Sequence, residues 1–111
     1  MKIRRDGDQS FVDFVCGQLD GIAELRAKRM FGGYGLYAGS VFFAIIHQGC
    51  LYFKTDALSQ WRYEEAGMAP FRPSEKQTLR RYYQVPVAVI EDSETLQRWA
   101  RESVAIAGGI V

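Results

Sequence analysis

The chain lacks the raw material of several function classes. It has one histidine, two cysteines and three prolines in 111 residues. With His47 alone, no histidine metal cluster and no multi-histidine active site can form within one chain. Cys16 and Cys50 fit no metal-ligand spacing. Cys16 falls in an apolar helical pattern and Cys50 opens an apolar strand, so both read as buried, reduced thiols packing as small hydrophobes, with a disulfide left open. Excess charge is missing as well. Fourteen Lys and Arg stand against 13 Asp and Glu, a net charge of +1, which gives no bulk support for a strongly phosphate-binding or membrane-surface protein. No run approaches the ~18 to 20 apolar residues that span a bilayer. The charged N-terminus shows no small-residue cleavage site. The expected place is the cytoplasm, with no membrane partner.

What the chain does have is apolar and aromatic material. It is 48% hydrophobic, with 15 Phe, Tyr and Trp and 11 glycines. At this length that suits one domain, residues 1–111, with an ordered core over about 9–107. A first helix is expected from Asp8 or Ser10. Its stripe is Phe11, Val15, Leu19 and Ile22, broadened by Val12 and Phe14, and it ends near Asp20-Gly21. Leu25-Arg26-Ala27-Lys28 alternates as a half-buried strand. The alternation breaks over 30–37, where glycines between aromatics mark a bulge or sharp bend in that strand. Turns at Ala38-Gly39-Ser40 and Gln48-Gly49 set off two more strands, 41–46 and 50–55. Asp56 caps a second helix over 57–66, stopped by Gly67. The proline-punctuated segment 68–73 reads as an edge strand, and 79–86 as another strand, with Pro86 marking an edge or an end. Asp92 or Ser93 caps a last helix with Leu96, Trp99, Ala100, Ser103, Val104 and Ala107 facing inward, closed by Gly108-Gly109. The order α-β-β-β-α-β-β-α predicts a two-layer α+β fold, an antiparallel sheet with helices on one face.

Constellations that would signal chemistry are weak. Gly32-Gly33-Tyr34-Gly35 lacks the lysine and following helix of a phosphate loop. Glu64-Glu65 and Glu91-Asp92 are sequence neighbours, which on a helix point about 100° apart and cannot share a substrate proton. His47 with Cys16 or Cys50 would make a thiol enzyme only if one thiol were exposed and of low pKa. The expectation is no enzyme, no catalytic or metal-binding residue, and no cofactor. Basic residues gather at Arg26, Lys28 and Arg29, and again at Arg72, Lys76, Arg80 and Arg81 beside Tyr82 and Tyr83. Arginine interleaved with tyrosine on a sheet can hold single-stranded nucleic acid.

The segment Arg29-Met30-Phe31-Gly32-Gly33-Tyr34-Gly35-Leu36-Tyr37 resembles the N-terminal domain of the TfoX/Sxy family of bacterial competence regulators. So do Phe42-Phe43-Ala44-Ile45-Ile46 and Gly49-Cys50-Leu51-Tyr52-Phe53-Lys54-Thr55-Asp56. Further blocks follow in order: Glu65-Ala66-Gly67-Met68-Ala69-Pro70-Phe71, Tyr82-Tyr83-Gln84-Val85-Pro86 and Trp99-Ala100. The resemblance implies a two-layer α+β domain like that of type III secretion chaperones, without catalytic activity or cofactor. It also implies a regulatory role. Family regulators act with the cyclic-AMP receptor protein and carry a second, C-terminal helical domain, which this 111-residue chain is expected to lack.

The first expectation is therefore a cytoplasmic regulatory or protein-interaction domain. Its partner surface would be Arg29, Met30, Phe31, Gly32, Gly33 and Tyr34, with Tyr82 and Tyr83 of the neighbouring strand. The alternative is a nucleic-acid-binding module using Arg72, Lys76, Arg80 and Arg81. A homodimer would cover the free sheet face or an edge.

Overall fold

Residues spaced three and four apart decide the helices, and turn glycines decide the strands. The computed structural model describes residues 2–30 and 32–109, with side chains from Gln9 onward. Helix α1 is Lys2–Gln18, followed by strands β1 (Leu25–Met30), β2 (Gly33–Ala38), β3 (Val41–His47) and β4 (Cys50–Lys54). Then come α2 (Gln60–Glu65), β5 (Pro70–Ser74), β6 (Gln77–Gln84), α3 (Val87–Ile90) and α4 (Ser93–Gly108). The six strands form one antiparallel sheet in the order β1-β2-β3-β4-β6-β5. This is the expected α+β class, with the helices layered on one side of the sheet.

The glycine bend expected within one strand is a full reversal. Gly32 takes a left-handed φ of +74°, and Met30 then pairs with Gly33, so β1 and β2 are two arms of a hairpin. The sequence pattern shows a broken alternation in either case; only the positive φ turns the chain back. The Gln48-Gly49 turn is as expected, with φ of +50° and +76° joining His47 to its cross-strand partner Cys50, the two-positive-φ turn that matches strand twist. A bulge between Leu36 and Tyr37 opposes Leu36 to Ala44 and Tyr37 to Phe42. It leaves Phe43 as the extra residue, so Phe43 and Ala44 are both fully buried.

The core lies between sheet and helices. Val12 and Val15 of α1, Leu19 in the turn just after it, and Leu96 and Ala100 of α4 meet Leu36, Phe43, Ile46, Leu51 and Phe53 of the sheet. Phe14, expected to broaden the α1 stripe, is instead 48% exposed. The helix begins before Asp8 and Ser10, which lie inside it rather than capping it; capping preference is a weak local bias that an established helix overrides. Asp56 caps the turn that runs directly into α2, which begins at Gln60 rather than Ala57; its Oδ1 accepts from the backbone N–H of Leu58 at 3.1 Å and Ser59 at 2.9 Å. Asp92 caps α4 as expected, accepting from Thr95 N–H. The short α3 was not expected. It starts at Val87 with Pro86 as its N-cap, where proline gives up no helical N–H bond.

The helices are tied to one another and to the sheet. Ser93 Oγ and Gln97 Nε2 donate to the Gln18 carbonyl at 2.8 and 3.1 Å, anchoring the end of α1 on α4. Arg62 of α2 makes a two-pronged pair with Glu102 of α4 at 2.9 and 3.1 Å, its guanidinium 5.2 Å over the Trp99 ring. Ser103 Oγ donates to Lys54 O at 2.8 Å. Both sheet edges are blunted. β1 presents the exposed Arg26, Lys28 and Arg29, and β5 contains Pro70 and Pro73, devices that discourage a further strand from pairing. No helix among the described residues is long and apolar enough to cross a membrane.

Candidate functional site

An antiparallel sheet with one solvated face ordinarily alternates to polar residues on that side. Here the face turned away from the helices is apolar. Met30, Phe42, Ile45, His47, Phe71, Leu79 and Tyr82 line a hollow of ≈ 310 Å³ on it, with Gly33 at its floor. That volume is at the low end of the ~300–1,000 Å³ typical of ligand sites.

Two glycines of β2 shape this face. A Cβ on Gly35 would lie 2.8 Å from Phe42 Cε1 and 2.9 Å from Met30 Cε, so these side chains lie across bare β2 backbone. A Cβ on Gly33 would run into the Ile46 carbonyl oxygen. The rings pack at a tilt around this floor, with only His47 and Phe71 edge to face. Phe42 is 5.2 Å from Tyr37 and 5.8 Å from Tyr82, and Phe71 is 4.6 Å from Tyr52 and 5.2 Å from His47. Burial is deep enough to disfavour charge. The Tyr52 phenol is pushed up to about 12, first by burial and then by Cys50 beside it. Tyr82 is raised by burial and by Tyr37.

The charge is unevenly divided between the elements. The strands carry Arg26, Lys28, Arg29, Lys54, Arg72, Arg80 and Arg81, half the Lys and Arg of the chain. Among the described residues no Asp or Glu lies in a strand. On the open face the Arg26 guanidinium sits 5.0 Å over the Tyr37 ring and Lys54 Nζ 5.1 Å over Tyr82. Lys28 shares this side with Arg26 and Met30 by strand alternation.

The expected partner surface is divided between the two faces. Met30, Gly33 and Tyr82 line the hollow. Tyr34 and Tyr83 point to the helix side and are 9% and 6% exposed. Tyr34 OH accepts from Arg29 Nη1 at 3.3 Å and donates to Gln9 Oε1 at 3.1 Å, while Tyr83 OH donates to Glu64 Oε2 at 2.9 Å. Gly32 is exposed in the β1–β2 turn, and Phe31 lies outside the described residues. The four basic residues of the alternative surface are also separated. Arg72 donates to the Glu75 carbonyl at 3.0 Å, near Lys76 in the β5–β6 turn. Arg80 and Arg81 border a shallow hollow with Ala57, Gln60 and Tyr83 on the α2 side.

Cys16 and Cys50 are free thiols, each half-buried rather than fully enclosed. Burial raises the Cys16 thiol, and the Asp13 carboxylate adds to the rise. Cys50 faces His47 in register at the mouth of the β3–β4 hairpin and accepts from Gln84 Nε2 at 3.5 Å.

Sequence reasoning overlooked Tyr37, Phe42, Ile45, Tyr52, Phe71 and Leu79 as a group. Their signal is the continuous apolar run 41–46 together with Leu51-Tyr52-Phe53. Such runs place apolar side chains on both faces of a strand, whereas one helix layer covers only one.

The model of the TfoX N-terminal domain matches residues 17–107. The chain belongs to this family. No curated protein matches it. The matched stretch of this TfoX N-terminal domain takes in all six strands and nearly all of α4, and so the whole open face.

Proposed function

We propose that this TfoX N-terminal domain is a non-enzymatic regulatory module of the cytoplasm that works by holding a protein partner on the open face of its sheet. The observation that carries the reading is the ≈ 310 Å³ hollow with its apolar wall, on the side that no helix covers among the described residues. Contiguous exposed apolar surface on a soluble domain marks interaction sites. The blunted edges support docking on the face over strand addition. His47 supports a binding role too, since its ring is packed against Phe71. Family membership makes a transcription factor, the cyclic-AMP receptor protein foremost, the partner class to try first.

Site-directed photocrosslinking in cells tests the reading. A crosslinking residue at Met30 or Tyr82 is expected to trap a protein, and the same residue at Glu94 on α4 is not. Trapping from α4 alone, or from neither face, overturns it.

A second reading, direct binding of nucleic acid, is favoured by one observation, the seven Lys and Arg on strands without a carboxylate. Filter binding of a single-stranded oligonucleotide, with affinity falling steeply as salt rises, is its expected outcome. No retention at low salt rejects it.

A further inference from the structure

We infer that the open face takes an acidic peptide segment, one in which one or two apolar anchor side chains are flanked by Asp or Glu. The inference rests on the reading of that face as a partner surface and adds the chemistry of the partner.

The anchor follows from the floor. Gly33 leaves the floor without a side chain, Met30 and Phe42 fold over Gly35 beside it, and Met30, Phe42, Ile45 and Leu79 wall the space above. A hollow of ≈ 310 Å³ without a charged group in its wall rewards burial of an apolar side chain. The flanking charge follows from the rim. Arg26, Lys28 and Lys54 are cations, and among the described residues no strand carries an acid to neutralise them. Carboxylates placed on either side of the anchor would meet positive charge in both directions, which selects partners by sign as well as shape.

The same features turn away other occupants. A second copy docking by this same face would set Arg26, Lys28 and Lys54 against themselves, because a two-fold interface is self-complementary. A single nucleic-acid strand needs free ring faces on which bases stack. The faces of Tyr37 and Tyr82 are already covered by Arg26 and Lys54, and the remaining rings are tilted against one another. An added β-strand would need an open edge, and both edges are blunted.

The test is selection of random dodecapeptides displayed on phage against the immobilised full chain at low salt. Binders are made synthetically and mapped by amide chemical shifts. The expected consensus has one or two of Leu, Ile, Met, Phe or Trp beside at least two carboxylates, with shifts centred on β2, β3 and β6. Affinity should fall roughly tenfold in Lys28→Glu/Lys54→Glu, as expected when flanking charge pairs are reversed, and should weaken with salt. The amide spectrum of that variant verifies its fold, and Lys28→Gln/Lys54→Gln should give a smaller loss in the same direction. Peptides that map to the open face without acidic enrichment overturn this inference while leaving the interaction reading intact. Peptides that map to the helix layer, or no enrichment at all, overturn both. Displacement of the peptides by an oligothymidylate would replace the peptide with nucleic acid.

Discussion

The two faces of the sheet are built from the same kinds of side chain and end in different states. On the helix side Leu36, Phe43, Leu51 and Phe53 are completely withdrawn from solvent. On the open side Tyr37, Phe42 and Tyr52 keep part of their surface in water. The first set is closed off by α1 and α4, and the second only by its own rings and by two cations. Apolar composition therefore does not distinguish core from surface in this sheet. The covering layer does.

Deleting a ring on each side separates the faces most sharply. Phe53→Ala is expected to cost about 3–5 kcal/mol in urea unfolding, the range for a fully buried phenylalanine. Phe42→Ala should cost no more than about 2 kcal/mol, because its burial is partial. Equal losses would mean that the open face is as much a core as the other.

The two floor glycines should differ in turn. Gly33→Ala sets a methyl group against the Ile46 carbonyl, which cannot move without shifting β3, and is expected to cost about 2–3 kcal/mol. Gly35→Ala meets the mobile end of Met30 and the ring of Phe42, so about 1 kcal/mol is expected by the same measurement. It should also reduce binding to the hollow. A reversed order would place the rigid contact at the wrong glycine.

Alkaline titration reports how dry the open face is. The Tyr52 phenol ionises at about 12 in the fold against 10.0 in the unfolded chain, chiefly through burial. The unfolded chain loses this proton first. The contribution to stability is whole below pH 10 and disappears as the pH climbs toward 12. In Tyr52→Phe, stability should fall less across that window, followed by circular dichroism, and one late tyrosinate signal should vanish from the ultraviolet titration. A Tyr52 that titrates near 10 would mark a wet face.

The smallest effect belongs to the helix layer. Glu102→Gln breaks the pair with Arg62, which is 32% exposed on the arginine and 36% on the glutamate side. A loss of about 0.5–1 kcal/mol is expected, shrinking with salt.

Much of this fold was legible because local rules and tertiary packing agree. Leu96, Ala100 and Ser103 recur at helical spacing and are buried, and Asp92 and Gly109 bound that helix as their chemistry predicts. Gln48-Gly49 between two apolar strand patterns is read as a two-residue turn, and both residues take the positive φ that such a turn requires. The hairpin at Gly32 was not legible, because a bulge and a reversal leave the same gap in alternation. The division of Tyr82 from Tyr83 follows from strand alternation once β6 is placed. Its consequence, one ring over the hollow and the other hydrogen-bonded to Glu64 of α2, needed the position of the helix layer. The composition of the open face was written in the run 41–46, yet which residues of β5 and β6 join it depends on irregular register around Phe71 and Leu79.

The near-zero net charge hides a polarised molecule. Seven cations sit on the strands, leaving seven cations and all 13 carboxylates to the helices and turns. A body charged in this way is more positive along its sheet than along its helices and turns, and a negatively charged molecule diffusing nearby is turned as well as attracted. The encounter is then biased toward the sheet before any contact forms. That bias speeds arrival, weakens with ionic strength, and leaves the time spent bound to the shape of the hollow.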